Sequence, residues 1–299
     1  MGFEAGRILY GGCKEGMKRI ISVSVVLIGL GMLLSAGCGS TQPAASTGSS
    51  GASSSAPTSS TAKAATSGLL ADLQSGSKTF KVGSDATFPP FEFTDKQGAI
   101  QGFDIDLVRA IAQKAGIKKV EFMQITFDGL IPGLQANQFD MVASAMYITD
   151  ARKQVVNFSD TYFPGGLTMM VKPDSTVKEL KDLDGKKVSV QVGTKSVDWL
   201  KANAPKVQLM LVKTNAEMFQ AVVNGQADAC VTGLPAARYY VSQQGNLKVT
   251  GPELTQENYG FAFRKTDPEL LGAWNKGLAA VKQDGTYKQL EDKWFASTK

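Results

Sequence analysis

The chain has 299 residues, 43% of them hydrophobic, with 32 Lys or Arg against 27 Asp or Glu and a formal charge of +5. It contains no histidine, which removes His-based catalytic triads and histidine metal sites. No basic cluster is interleaved with aromatics and no P-loop or dinucleotide turn opens a helix, so neither a nucleic acid nor a cofactor is expected.

The N-terminus reads as an export signal. Met17-Lys18-Arg19 is a basic start, Ile20 to Leu34 is an apolar run too short for a comfortable membrane span, and Met1 to Gly16 has no signal character. Met17 is therefore expected to be the true start, and residues 1–37 the signal. Leu34-Ser35-Ala36-Gly37-Cys38 resembles a lipoprotein signal, with Cys38 as the acylated residue. Residues 1–37 carry four basic and two acidic side chains, so their removal lowers the formal charge from +5 to +3. The Ser, Ala, Thr, Gly and Pro tract from Gly39 to Gly68 cannot bury apolar surface and is expected to be a tether, with a mean reach of roughly 30 Å. Signal, lipid and tether together describe a domain anchored to the outer side of a cell membrane.

Strand and helix patterns alternate through the rest. Lys81–Gly83 is a predicted strand, Asp104–Gly116 a helix, Val120–Met123 a strand, Leu130–Gln135 a short helix and Met141–Ala145 a strand. The pattern then restarts with strand Lys187–Val192, helix Ser196–Asn203, strand Gln208–Val212, helix Ala216–Asn224 and strand Ala229–Thr232. Tyr259–Arg264 reads as one strand, and helices Asp267–Gln283 and Gly285–Phe295 finish the chain. Two similar α/β units imply two lobes. Cys230, in a buried apolar run, is left without a disulfide partner, so the domain must be held by its core.

Gly102 to Ala115, GFDIDLVRAIAQKA, places two acids in an apolar helix opening. Asp104 can cap the helix, Asp106 adds charge at the positive end of its dipole, and Phe103, Leu107 and Ile111 form an apolar face. In Ile148-Thr149-Asp150-Ala151-Arg152, Thr149 or Asp150 is a natural N-cap. A cation in the first turn opposes the dipole, so Arg152 wants either an anionic ligand or a surface partner such as Asp150 or Asp160.

These segments, with Asp85 to Phe93, Phe127 to Pro132 and the terminal run Gly285 to Phe295, resemble the bacterial extracellular solute-binding proteins of family 3, polar-amino-acid receptors of ABC importers. The resemblance runs from about Phe80 to Phe295. It implies an α/β, two-lobed periplasmic-binding-protein fold of the Venus-flytrap type. Lobe 1 would be residues 79–162 and 258–299, lobe 2 residues 166–254, with two hinge crossovers near Tyr162–Gly166 and Leu254–Tyr259. A monomer is expected, capturing a small zwitterion and delivering it to an ABC permease.

The same resemblance assigns site residues. Arg152 would hold the ligand carboxylate, Asp85 would accept from a cationic or amide group, and Phe88 and Phe127 would be walls; Phe91 and Phe93 read as core. Backbone groups at Ser144 and Ala145, and Gln191, Thr194 and Lys195 in the turn Gln191-Val192-Gly193-Thr194-Lys195, would complete the site. Two positions depart from the pattern. Gly233 stands where the family carries the acid for a ligand amine, leaving Asp85 or Glu257 to take that group, or a ligand without a primary amine. Tyr147 replaces a small residue, and either joins Phe88 and Phe127 in an aromatic box for a cation or bonds to the hinge. Glutamine is the favoured ligand. Ectoine, betaine or opine-type solutes are the alternative, a dehydratase-like enzyme is a reading of another class, and docking to a signalling receptor is a further one.

Overall fold

The computed structural model describes residues 68–296 of the chain. The signal segment, Cys38 and the tether to residue 67 lie outside the described residues. Two five-stranded sheets organise the domain. In the first, Val120–Gln124, Phe80–Ser84 and Met141–Val142 run parallel, and Ala262–Phe263 and Asn157–Phe158 complete the order, with Ala262–Phe263 antiparallel to both its neighbours. In the second, Gln208–Val212, Lys187–Gln191 and Ala229–Gly233 are parallel, followed by Leu167–Val171, antiparallel to both its neighbours, and Lys248–Thr250. Each sheet is thus a βαβ half extended by one antiparallel strand and, beyond it, an edge strand that runs with the parallel set again.

The chain passes between the sheets twice, and the two passages pair with each other. Phe163–Pro164 lies antiparallel to Asn258–Tyr259 as a two-stranded ribbon. This explains why Tyr259–Arg264 is not one strand. Tyr259 belongs to the ribbon, Ala262–Phe263 belongs to the first sheet, and Gly260-Phe261 turns between them. An ideal Cβ at Gly260 would approach Ile148 Cδ1 to 2.8 Å, so the turn passes too close for a side chain. Met141–Ala145 is likewise shorter than its sequence suggests: the strand ends at Val142, and Ala145 takes φ 38.

Three elements absent from the sequence reading complete the second lobe's sheet and cover it: strands Leu167–Val171 and Lys248–Thr250 and helix Leu234–Gln244. Leu167–Val171 is buried at every position and therefore lacks the alternation that marks a half-exposed strand. A short helix, Leu69–Ser75, precedes the first strand and buries Leu73 completely.

The first lobe's core is aromatic. Phe91 packs edge-on against Phe103, Phe163, Tyr259 and Phe295, with ring centroids 5.1–6.1 Å apart. Helix Thr286–Phe295 thereby returns to the opening of helix Phe103–Lys114, where Asp106 accepts from Lys293 and from Trp294 Nε1. In the second lobe Cys230 is fully buried, and burial pushes its thiol pKa up, which keeps it unreactive.

Candidate functional site

The parallel strands of both sheets end at one cleft. Asp85 follows Phe80–Ser84, Ser144 and Ala145 follow Met141–Val142, and Gln191 and Gly233 end strands of the second sheet. Strand C-termini facing a crevice are where open α/β sheets place ligands. About 430 Å³ of space free of protein atoms, open solvent at the mouth included, lies within the cleft.

Of the residues singled out in the sequence, Asp85, Phe88, Phe127, Ser144, Ala145, Tyr147, Gln191, Thr194, Lys195 and Gly233 all line this cleft. Arg152 does not. It stands at the edge, with its guanidinium over the Phe127 ring at 5.5 Å, Nη1 donating to Tyr147 O at 2.8 Å and Nη2 to Gly193 O at 3.2 Å. It pairs with neither Asp150 nor Asp160. Lys153 takes Asp150, and Thr149 is the helix N-cap, accepting from Arg152 N. Those two bonds use two of the five guanidinium N–H groups, so the fork retains donors at the cleft edge. Burial lowers the Arg152 pKa to about 10, which still leaves it charged at neutral pH.

Asp85 is 3% exposed and accepts from Gln191 Nε2 at 2.6 Å and from Thr87 Oγ1 at 3.0 Å. Burial raises its pKa to about 6, against the opposing pull of those two donors. Asn215 extends the chain, donating to Gln191 Oε1 at 3.1 Å and reaching Thr87 Oγ1 at 3.4 Å. Together with Arg152 to Gly193, these bonds tie the two lobes directly across the cleft.

Three expectations are corrected. Asp104 is not the helix cap: Gly102 is, and Phe103 N and Asp104 N donate to Pro90 O and Phe91 O. An ideal Cβ at Gly102 would lie 2.2 Å from Phe91 O, so the approach that caps the helix requires glycine. Asp104 instead turns inward and accepts from Ala145 N at 2.9 Å, so that backbone N–H is already committed and does not face a ligand. The Thr194 hydroxyl donates to Gln191 O, and the first-turn N–H groups of helix Lys195–Asn203 are the anion-attracting feature of this turn. Glu257 pairs with Lys195 and accepts from Thr255, so it is not an open acid for an amine.

Tyr147 bonds to the hinge: its hydroxyl donates to Gly166 O at 2.9 Å and accepts from Gly166 N and from Tyr259 Oη, each at 3.2 Å, while the residue also lines the cleft. Gly233 faces this pair: an ideal Cβ there would meet Tyr259 Oη at 2.5 Å. The two hydroxyls therefore fill the space a side chain at 233 would need. Sequence reading missed Glu92, Asn215, Met218 and Tyr259 as lining residues. Glu92, between Phe91 and Phe93, is the buried residue of strand Glu92–Thr94, and its sequence neighbours give no sign of that.

Residues 80–297 match the model of the bacterial extracellular solute-binding proteins, family 3. The chain belongs to this family. The glutamine-binding protein GlnH of an ABC transporter of Bacillus subtilis (strain 168) is 32% identical over 283 residues, 93% of this chain and 98% of GlnH. Among solved structures, the ancestral amino acid-binding protein AncCDT-1, a precursor of cyclohexadienyl dehydratase, is 46% identical with a TM-score of 0.71, covering 76% of this chain and 99% of that one. An ancestral arginine-binding protein bound to glutamine is 45% identical with a TM-score of 0.69, covering 73% and 97%. This family-3 protein thus has a two-lobed periplasmic-binding-protein fold, acts outside the cytoplasm and works by binding rather than catalysis.

Proposed function

We propose that the chain captures a polar α-amino acid, with glutamine the favoured ligand, between lobes formed by residues 79–162 with 258–299 and by residues 166–254, and hands it to an ABC permease. The observation that carries this reading is the polarity of the cleft. At one end Asp85, bonded to Gln191, offers carboxylate oxygens to an amide or cationic group. At the other, Arg152 and the N-terminus of helix Lys195–Asn203 offer positive charge and N–H donors to a carboxylate. Phe88 and Phe127 flank the space between them.

A zwitterion bridging these ends contacts both lobes only when they are together, and that difference in contacts is what drives closure. The tie of the Tyr147 hydroxyl to Gly166 supports an amino acid over an aromatic box for quaternary cations, because a ring fixed to the hinge at its hydroxyl is not free to close over a cation. Anchoring through an acyl group on Cys38 belongs to the same proposal.

A thermal-shift panel of glutamine, arginine, cystine, ectoine and betaine tests it. A true ligand at 100 times its Kd stabilises the protein by about 2.7 kcal/mol. A shift with ectoine or betaine and none with any amino acid overturns the amino-acid reading.

A further inference from the structure

Beneath the cleft, Glu92 and Asp104 are 1% and 0% exposed, yet both are acids. Their outer oxygens are committed: Glu92 Oε1 accepts from Ser144 Oγ at 2.9 Å, and Asp104 Oδ2 accepts from Ala145 N at 2.9 Å and Tyr162 Oη at 2.7 Å. The other two, Glu92 Oε2 and Asp104 Oδ1, have no protein donor. The two carboxyls are held to consecutive residues, Ser144 and Ala145, of one turn, and both are buried with one oxygen each left unsatisfied. Two carboxylate oxygens are both acceptors, so these two can satisfy one another only if one of them carries a proton.

We propose that Glu92 and Asp104 share one proton at neutral pH and that this neutral–anionic pair is the positioning element for the Ser144–Ala145 turn of the binding cleft. The proton resides on Glu92 Oε2 and is donated to Asp104 Oδ1, because Asp104 already has two donors stabilising its charge and Glu92 has one. Each carboxyl then holds one residue of the turn, Glu92 through Ser144 and Asp104 through Ala145. The turn needs holding: Ala145, a non-glycine residue, sits at φ 38 in the left-handed region. Ser144 passes the arrangement on, since its Oγ also accepts from Asp85 N at 3.1 Å.

The groups facing the pair are Asp85, the hydroxyls of Ser144, Tyr162 and Tyr259, and Tyr287, none of them cationic. Burial is the largest cause for each and pushes both titrations up; the neighbouring Asp104 raises Glu92 further, whereas Ala145, Tyr162 and Glu92 pull Asp104 back down. The sign follows. The folded protein keeps a proton that the unfolded chain releases near about pH 4, so the folding constant falls about tenfold for each pH unit from there up to the pair's raised titration.

The inference rests on the binding cleft described above but not on the identity of its ligand, and its test needs no ligand. Thermal unfolding of the free protein is followed from about pH 5 to about pH 9 for wild type, Glu92→Gln and Asp104→Asn, alongside infrared spectra of wild type at neutral pH. A glutamine at 92 keeps an acceptor for Ser144 and supplies a permanent N–H to Asp104; an asparagine at 104 donates to an ionised Glu92. Either variant is expected to lose the part of the alkaline fall in melting temperature that wild type shows, while Asp85 titrates alike in all three. Wild type is expected to show the C=O stretch of a protonated, buried carboxyl at neutral pH, absent from Glu92→Gln. Equal pH slopes for wild type and a folded variant, or no protonated-carboxyl band in wild type, overturn the proposal. If both variants fail to fold, the infrared band alone decides it. The expected pH slopes and carboxyl band, with no thermal shift of wild type by any amino acid, would count against the proposed ligand and leave the carboxyl pair standing.

Discussion

Gln191 Nε2 donates to Asp85 Oδ2 at 2.6 Å, joining residues 106 positions apart across the cleft between the two sheets. Neither side chain has that partner within its own lobe, so the bond exists only when the lobes approach. It gives the cleft an acid whose ionisation is coupled to closure.

That acid predicts a pH dependence. Burial holds Asp85 at about 6 instead of 3.8. An amide or cationic group of a ligand favours the carboxylate, so affinity is expected to rise as pH climbs through about 6 and then level off. The stability of the free protein moves the other way, falling between about pH 4 and about pH 6, because the folded state holds the proton more tightly than the unfolded chain. Asp85→Asn should flatten the binding profile and weaken binding by about 1.5–3 kcal/mol, the usual worth of a hydrogen bond to a charged group. Calorimetric titrations at several pH values check both, and a wild-type profile that is flat through pH 6 would count against Asp85 as a ligand contact.

Arg152 is expected to matter for binding more than for folding. Arg152→Ala removes the carboxylate partner and should cost on the order of 2–5 kcal/mol of affinity. Arg152→Lys should restore little of it, since an ammonium lacks the planar fork. Titration of each variant with the ligand found in the thermal-shift panel is the measurement, and unchanged affinity for Arg152→Ala would remove the arginine from the site.

Gly233 is predicted to be intolerant of any side chain. A Cβ there would stand 2.5 Å from Tyr259 Oη and 3.2 Å from Phe88 Cζ, an overpacking that typically costs about 1–3 kcal/mol. Urea denaturation of Gly233→Ala should show that loss, and Tyr259→Phe in the same chain should recover part of it. No recovery would mean the hydroxyl is not what the methyl group meets.

The N-terminal boundary can be tested by truncation. A chain beginning at Gly68 is expected to fold and bind normally, whereas one beginning at Thr79 loses helix Leu69–Ser75 and the burial of Leu73. Leu73→Ala alone should cost about 2–5 kcal/mol, as for other fully buried leucines. Full stability of the Thr79 chain in urea would show that this helix contributes nothing to the domain.

Acylation is tested separately. Cys38→Ser is expected to abolish fatty-acid labelling in cells and release the protein to the soluble fraction. Label retained on the variant would refute the lipid anchor.

What the sequence determined by itself was local periodicity and local chemistry. The four-residue spacing of Phe103, Leu107 and Ile111 places a helix there, the strand at Gln208–Val212 falls where its pattern puts it, and the motif residues around Asp85, Phe127 and Gln191 were legible because each lies within a few residues of a strand end. Only the tertiary structure decided where the polar atoms go. Asp104 looked like a helix cap because capping is a local interaction; its partners Ala145 and Tyr162 lie 41 and 58 positions away. Arg152 looked like a surface or ligand-facing cation; the fold gives it the carbonyls of Tyr147 and Gly193, the latter 41 positions on, in place of a surface acid. Glu92 gave no signal, because a buried acid next to two phenylalanines makes physical sense only when a second carboxyl and a shared proton are brought to it. Backbone periodicity reports which face of an element is buried, but a buried polar group must be satisfied by whatever the fold places opposite, and that is a property of the assembled chain.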